Sequence, residues 1–293
     1  VEKFIIIGGK RLKGAVRVSG AKNAILPILA ASLLSEEINT IHEVPGLLDV
    51  QVMKEVLTYL GAKIQCDGNT LKIDGGKVKT LEIAEEMMRK MRASNLVMGA
   101  LLGRFGYFKV AYPGGCAIGS RPMDLHLKGF VSMGAQITEK HGFVIAEAKE
   151  LKGTEIHLDF PSVGATENLM MAATQAKGQT IIRNAAKEPE IVDLQNFLNG
   201  MGAKIRGAGT DLIKTEGPTR LSSTCHTVIP DRIEAGTHMV AAAVTGGDVA
   251  VENVIPEHLE AIIAKLREAG VTVEVGEDSV RVLGPPRDRK SVV

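Results

Sequence analysis

The stretch PGGCAIGSRPMDLH (Pro113–His126) has the residue types and spacing of reactive chemistry. Cys116 sits in a turn too rich in glycine to be a helix. Arg121 follows, and then a Pro-x-Asp helix start. A thiol reacts as thiolate, and a cation or a helix N-terminus lowers its pKa. Glycines let backbone N–H groups approach an anion closely. The loop alone leaves two readings open. It holds an anionic substrate beside a tunable thiol, or it is an ordinary glycine turn around a buried, inert cysteine. The other cysteines read as structural: Cys66 follows a strand in a polar turn, and Cys225 lies in a linker-like stretch.

The elements that must position this loop recur along the chain. Four segments share an amphipathic helix, a Gly-Ala or Gly-Val turn and a strand: DVQVMKEVLTYLGAKI, DLHLKGFVSMGAQI, IVDLQNFLNGMGAKI and HLEAIIAKLREAGVTV. Their turn glycines, Gly61, Gly134, Gly202 and Gly270, fall at left-handed helix caps and set a period of roughly 70 residues. A second strand closes each copy: NTLKID, GFVIAE, TDLIKTE and DSVRVL. Out of phase with these runs another helix, in NAILPILAASLLSE, ASNLVMGALLGR, ATENLMMAATQAKG and EAGTHMVAAAVTGG. These helices are apolar nearly all round and belong in an interior. Each leads into a strand: TIHEV, YFKVAY, TIIRNA and DVAVENV. The unit is therefore strand–helix–strand–helix–strand–strand, an α/β architecture of packed layers. The apolar helices begin at polar, partly cationic residues: Lys22–Asn23, Arg92–Ser94, Ser162–Thr166 and Asp231–Thr237. Helix N-termini favour anions, so several of them converging suit a multiply charged ligand. The same residues also read as plain N-caps.

Composition narrows the field. The 293 residues carry 35 Lys and Arg against 34 Asp and Glu, a net charge of +1, which argues against a general nucleic-acid binder. Aromatics are only 3% and Trp is absent, so stacking platforms for single strands are not expected. No apolar run reaches a membrane span, and the N-terminus has no secretory signal pattern. The three cysteines form neither a disulfide framework nor a metal pattern. A reduced, cytoplasmic protein without metal or cofactor is expected.

At the level of whole motifs the chain resembles the UDP-N-acetylglucosamine enolpyruvyl (1-carboxyvinyl) transferases. The matching segments are SGAKNAILPILAA (Ser19–Ala31), KMRASNLVMGALLGRFG (Lys90–Gly106), the Pro113–His126 loop, DFPSVGATENLMMAA (Asp159–Ala173), NAAKEPEIVDLQNFL (Asn184–Leu198) and IPDRIEAGT (Ile229–Thr237). The resemblance implies an inside-out α/β barrel, with sheets outside and helices inside, in two domains of three repeats. Four of the six repeats are expected in this chain. Residues 1–20 would supply a strand to the second domain, 21–230 a complete UDP-sugar- and phosphoenolpyruvate-binding domain, and 231–293 the first repeat of an incomplete second domain. On the repeat period, the family's length would extend about 120 to 130 residues past Val293.

The implied reaction moves the enolpyruvyl group of phosphoenolpyruvate (PEP) to the 3′-hydroxyl of UDP-GlcNAc and releases phosphate, the first committed step of peptidoglycan synthesis. The resemblance assigns Cys116 as proton carrier, as the residue that forms an adduct with PEP, and as the target of fosfomycin. Lys22 and Arg121 complete the catalytic set and bind PEP with Asn23 and Cys116. For UDP-GlcNAc it implies Asn23, Arg92, Arg121, Pro122, Met123, Asp124, Leu125, Phe160, Pro161, Ser162, Val163 and Gly164. Asp231, Arg232 and Glu234 read equally as an ion-pair network or a catalytic group. The family's general-base aspartate and a further PEP-closing arginine are expected beyond Val293, so weak UDP-GlcNAc binding and little turnover are expected of this chain. Alternatives are a non-catalytic UDP-sugar-binding fragment or regulatory relative, and a transferase acting on shikimate 3-phosphate. Self-association through the incomplete second domain is a further expectation.

Overall fold

The computed structural model describes residues 3, 5, 8–83, 86–87, 95–111 and 123–285. The described elements begin with strand β1 (Lys13–Arg17). The first repeat holds α1 (Lys22–Ala31), β2 (Ile38–His42), α2 (Leu48–Leu60), β3 (Lys63–Asp67) and β4 (Thr70–Asp74). The second holds β5 (Glu82–Ile83), α3 (Val97–Phe105), β6 (Tyr107–Ala111), α4 (Asp124–Ser132), β7 (Gln136–Lys140) and β8 (Phe143–Glu147). The third holds β9 (Glu155–His157), α5 (Val163–Ala173), β10 (Gly178–Arg183), α6 (Pro189–Gly200), β11 (Lys204–Arg206) and β12 (Leu212–Gly217). After β13 (Cys225–Thr227) come α7 (Arg232–Thr245), β14 (Asp248–Glu252), α8 (Glu260–Glu268), β15 (Thr272–Val275) and β16 (Ser279–Leu283).

The chain divides into two compact units, Lys22–Val228 and Val1–Ala21 with Ile229–Val293. The larger unit holds three four-stranded sheets, in the orders β13-β2-β4-β3, β5-β6-β8-β7 and β9-β10-β12-β11. Each starts with a parallel pair and continues with two antiparallel neighbours. β5 and β9 directly precede the repeats they serve. The first sheet receives its parallel strand from the far end of the unit, where Cys225 pairs with Thr40 and Thr227 with His42. That pairing links the last residues of the unit to its first repeat. The sequence had placed Cys225 in a linker and Cys66 in a turn. Cys225 instead opens β13 and Cys66 lies inside β3, both exposed. Three residues reading Cys-His-Thr carry too little alternation to announce a strand; the neighbouring strand imposes it.

The apolar helices line the interior, which is the inside-out α/β barrel arrangement. α1 buries Ala24 through Ala31, and α5 buries Ala165 through Ala173. α3 packs against both α1 and α5, while α2, α4 and α6 pack on this inner layer. At Gly99 the backbones of α3 and α5 touch: a Cβ there would stand 2.2 Å from the carbonyl oxygen of Asn168. Only glycine permits that approach. The turn glycines adopt the left-handed conformation, with φ of +111° at Gly61 and +106° at Gly202.

The smaller unit repeats the same sheet once, in the order β1-β14-β16-β15. Its core gathers Val18, Met239, Val251, Leu259, Val280 and Val282 around α7 and α8. Ser19–Ala21 and Ile229–Asp231 run side by side, with Ala21 N–H donating to Ile229 O and Asp231 N–H to Ser19 O. No helix among the described residues is long and apolar enough to cross a membrane.

Candidate active site

Lys22 and Asn23 open α1 and are both exposed, because the helix turns polar only at this end. Lys22 Nζ pairs with the carboxylate of Asp49, which lies in the first turn of α2. A carboxylate is favourable at a helix N-terminus, so Asp49 is held there twice over. The lysine remains nearly half exposed, within reach of an incoming anion.

Met123 is buried and precedes α4, where Leu127 N–H donates to its carbonyl at 3.0 Å. Asp124 is exposed in the first turn, where an acidic side chain meets the positive end of the helix dipole, and Leu125 is buried. Ser162 caps α5, its hydroxyl accepting from Ala165 N–H at 3.4 Å. Val163 and Gly164 form the first turn, half-buried; Phe160 and Pro161 lead into it and are exposed. Lys128 on α4 binds both oxygens of Asp159 at 2.9 and 3.2 Å, which ties α4 to the segment preceding α5. Arg92, Cys116, Arg121 and Pro122 lie outside the described residues.

One buried amide clamps these helix starts together. Asn168 Oδ1 accepts from Gly99 N–H at 2.5 Å, and Asn168 Nδ2 donates among Asn95 O, Gly164 O and His126 Nδ1 at 3.1–3.2 Å. The beginnings of α3, α4 and α5 therefore share one hydrogen-bonding centre. His126 also packs on Gly164, where a Cβ would meet its Cε1 at 3.3 Å. Burial pushes the His126 imidazole down to about 4, so it is neutral at pH 7 and accepts from the Asn168 amide through Nδ1. The neighbouring Glu167 is buried with Oε1 lacking a hydrogen-bond partner among the described residues. Burial, and then the charges of Glu190 and Glu188, hold its carboxyl well above the usual carboxylate range.

Sequence reasoning passed over His126, Glu167 and Asn168, although all three stand in the motifs it singled out. The available signal was polar: Glu-Asn interrupts the otherwise apolar run of α5, and a buried polar pair must find partners. Among the described residues no three His, Cys, Asp or Glu side chains are grouped as metal ligands would be. In the smaller unit, Asp231 Oδ1 caps α7 by accepting from Ile233 and Glu234 N–H at 2.8 and 3.0 Å. Glu234 Oε2 accepts from the backbone and hydroxyl of Ser19 at 3.1 and 2.5 Å. These contacts join the N-terminal segment to the start of α7.

The family model of EPSP synthase (3-phosphoshikimate 1-carboxyvinyltransferase) matches residues 6–293. The UDP-N-acetylglucosamine 1-carboxyvinyltransferase 1 of Carboxydothermus hydrogenoformans is 59% identical over 97% of this chain and 67% of its own length. That of Symbiobacterium thermophilum is 54% identical over 98% of this chain and 66% of its own. This chain thus spans about two thirds of the length of such relatives. Among solved structures, the enolpyruvyl transferase NikO from Streptomyces tendae superposes with a TM-score of 0.85 at 24% identity, covering 96% of this chain and 67% of that one. EPSP synthase from Acinetobacter baumannii gives 0.72 at 22% identity, covering 94% and 66%. Both carry the same fold. The chain belongs to the 1-carboxyvinyl (enolpyruvyl) transferase family, in the branch whose members are named UDP-N-acetylglucosamine 1-carboxyvinyltransferase.

Proposed function

We propose that this chain binds PEP and UDP-GlcNAc and serves the transfer of the enolpyruvyl group to the sugar's 3′-hydroxyl, with release of phosphate. The observation that carries the reading is the clustering of the α3, α4 and α5 helix starts around Asn168, in a chain 59% identical to a transferase of that name. Unpaired N–H groups and dipoles at such helix starts suit a diphosphate. Met123, Asp124, Leu125, Ser162, Val163 and Gly164 would hold the nucleotide, with Phe160 and Pro161 at its flank. Lys22, released from Asp49, and Arg121 would neutralise the phosphate and carboxylate of PEP; Asn23 would orient the acceptor. A guanidinium meets phosphate through a rigid fork of donors, and an ammonium meets it as a point charge.

In the reaction a proton adds to the CH2 carbon of PEP, and the sugar oxygen attacks the neighbouring carbon as it loses its own proton. The resulting ketal then sheds phosphate and a methyl proton to restore the alkene. Cys116 would carry a proton between the thiol and that methylene carbon. Such a reaction places the protein in the cytoplasm, at the entry to cell-wall synthesis. In the smaller unit the exposed Ile233, Val240 and Val244 of α7 support self-association of this face, which sedimentation analysis would show as a concentration-dependent dimer.

The test is calorimetric binding of UDP-GlcNAc together with phosphate release from PEP, with and without UDP-GlcNAc, for this chain and for Cys116→Asp. The reading requires UDP-GlcNAc binding. UDP-GlcNAc-dependent phosphate release would place the complete reaction on this chain, and binding without release would assign it the substrate-holding part. Absence of both overturns the reading.

A further inference from the structure

Three adjacent strands of the first sheet bring a thiol, an imidazole and a hydroxyl into line on its outer face. Cys225 Sγ lies 3.3 Å from His42 Nε2, and His42 Nδ1 lies 3.0 Å from Thr70 Oγ1. The backbone dictates this alignment. β13 runs parallel to β2 with Cys225 opposite Thr40 and Thr227 opposite His42, so Cys225 and His42 are diagonal neighbours. β4 runs antiparallel on the other side, and Thr70 stands one step past the Ile41–Leu71 pair, across from His42. Side chains alternate along a strand. His226, between Cys225 and Thr227, accordingly turns inward to Asp193 at 2.9 Å and to the Phe197 ring. Cys225 is exposed, while His42 and Thr70 are half-buried.

We propose that Cys225 is a reactive thiol, a modification site at which small hydroperoxides form a sulfenic acid with His42 as base and Thr70 as its anchor. In the tautomer with the proton on Nδ1, that proton goes to the Thr70 oxygen, and the Nε2 lone pair faces sulfur. A general base poised against a nucleophile, and itself oriented by a third group, is the arrangement that activates thiols. The step balances with hydrogen peroxide as oxidant. The Cys225 S–H proton passes to His42 Nε2, and sulfur attacks one peroxide oxygen. The O–O bond breaks, and the departing hydroxide takes the proton from His42 and leaves as water. Sulfur is oxidised by two electrons and the peroxide is reduced by two, the first rung of cysteine oxidation.

The chain contains its own control. Cys66 lies in β3 of the same sheet, is likewise exposed, and has no side-chain hydrogen bond among the described residues. The experiment treats the whole chain with hydrogen peroxide, traps sulfenic acid with dimedone, and reads each cysteine by peptide mapping over time. Cys225 should be trapped at least about tenfold faster than Cys66, a modest share of what a positioned base supplies. His42→Gln should bring Cys225 to the Cys66 rate while leaving Cys66 unchanged. Equal rates in the unmodified sequence, or a Cys225 rate indifferent to His42→Gln, would overturn the proposal. If His42→Gln also moves the Cys66 rate, the fold has changed and Thr70→Val decides. A Cys225 rate lowered about two- to fivefold with Cys66 constant supports the anchor role, and an unchanged rate removes it.

Discussion

The inner helices of the two units come from one repeat pattern and end in different surroundings. α1 and α5 are buried along almost their whole length, with neighbouring helices on several sides. α7 buries Ala235, Gly236, Met239 and Ala242 on one side, and leaves Ile233, Val240 and Val244 between 41% and 63% exposed. The same kind of helix is thus a core element among three repeats and a one-sided layer when a single repeat is present. Burial here follows from how many copies surround the helix. An apolar helix in a repeat fold is stabilised by its neighbours, as nearest-neighbour energetics requires.

The largest test of this difference lies at the helical glycines. Gly99→Ala would drive a Cβ into the Asn168 backbone, which cannot rotate away. A loss of about 4 kcal/mol or more is expected, enough to unfold the larger unit. Gly236→Ala on α7 meets only the end of the Ile262 side chain at 3.1 Å. There the gain in helix propensity offsets the crowding, and the change should stay within about 1 kcal/mol. Hydrogen exchange followed by mass spectrometry reads the two units separately. Equal losses in both would break the comparison.

Truncating the apolar face is the next test. Leu29, fully buried in α1, should cost about 3 kcal/mol as Leu29→Ala, while Val244→Ala on the exposed face of α7 should cost under about 0.5 kcal/mol. Urea denaturation measures both. A Val244→Ala loss near that of Leu29→Ala would mean that this face is covered, which fits self-association.

Local and non-local signals divide what was legible in the sequence. The repeat could be read because its signals are local. Gly61, Gly134, Gly202 and Gly270 mark caps, and apolar runs mark the inner helices. The closing strand β13 could not be read, since Cys225–Thr227 becomes a strand only beside β2. Within the candidate site, Lys22, Asn23 and the Ser162–Gly164 turn were legible as polar residues opening apolar helices. The Asn168 clamp was not. It joins His126 and Gly99 across three helices, and helical periodicity reports only which face is apolar. Charge balance was hidden for the same reason: Lys22 pairs with Asp49, on the next helix.

The clamp makes acid a probe of the larger unit. The folded His126 titrates at about 4 against an ordinary value of 6.5, so the folded state binds fewer protons between these values. Its contribution is present above pH 6.5 and is lost as pH falls through 4. About 2 kcal/mol should be gone by pH 5. Glu167 works in the opposite sense: its raised pKa means that stability falls as pH rises above the ordinary carboxylate range. In denaturation curves from pH 5 to 8, His126→Gln should therefore lose the fall toward acid, and Glu167→Gln should lose the opposing fall with rising pH. An unchanged acid slope in His126→Gln would show that the imidazole is not the group that senses acid.

The smallest effect concerns the two caps, and it reverses the ranking of the units. α5 in the larger unit is capped by one neutral hydroxyl at 3.4 Å, a long and weak contact. α7 in the smaller unit is capped by the Asp231 carboxylate, which takes two N–H groups at 2.8 and 3.0 Å. A charged acceptor makes the stronger bonds and also meets the positive end of the helix dipole. Asp231→Ala should therefore cost about 1 to 2 kcal/mol and Ser162→Ala about 0.5 kcal/mol. The difference has a structural reason. α5 is fixed by the Asn168 clamp and by packing along its length, so its cap adds little, whereas α7 packs on one side only and relies more on its end. If Ser162→Ala proves the costlier substitution, local capping, and not the surrounding repeats, would be what holds the inner helices of the larger unit.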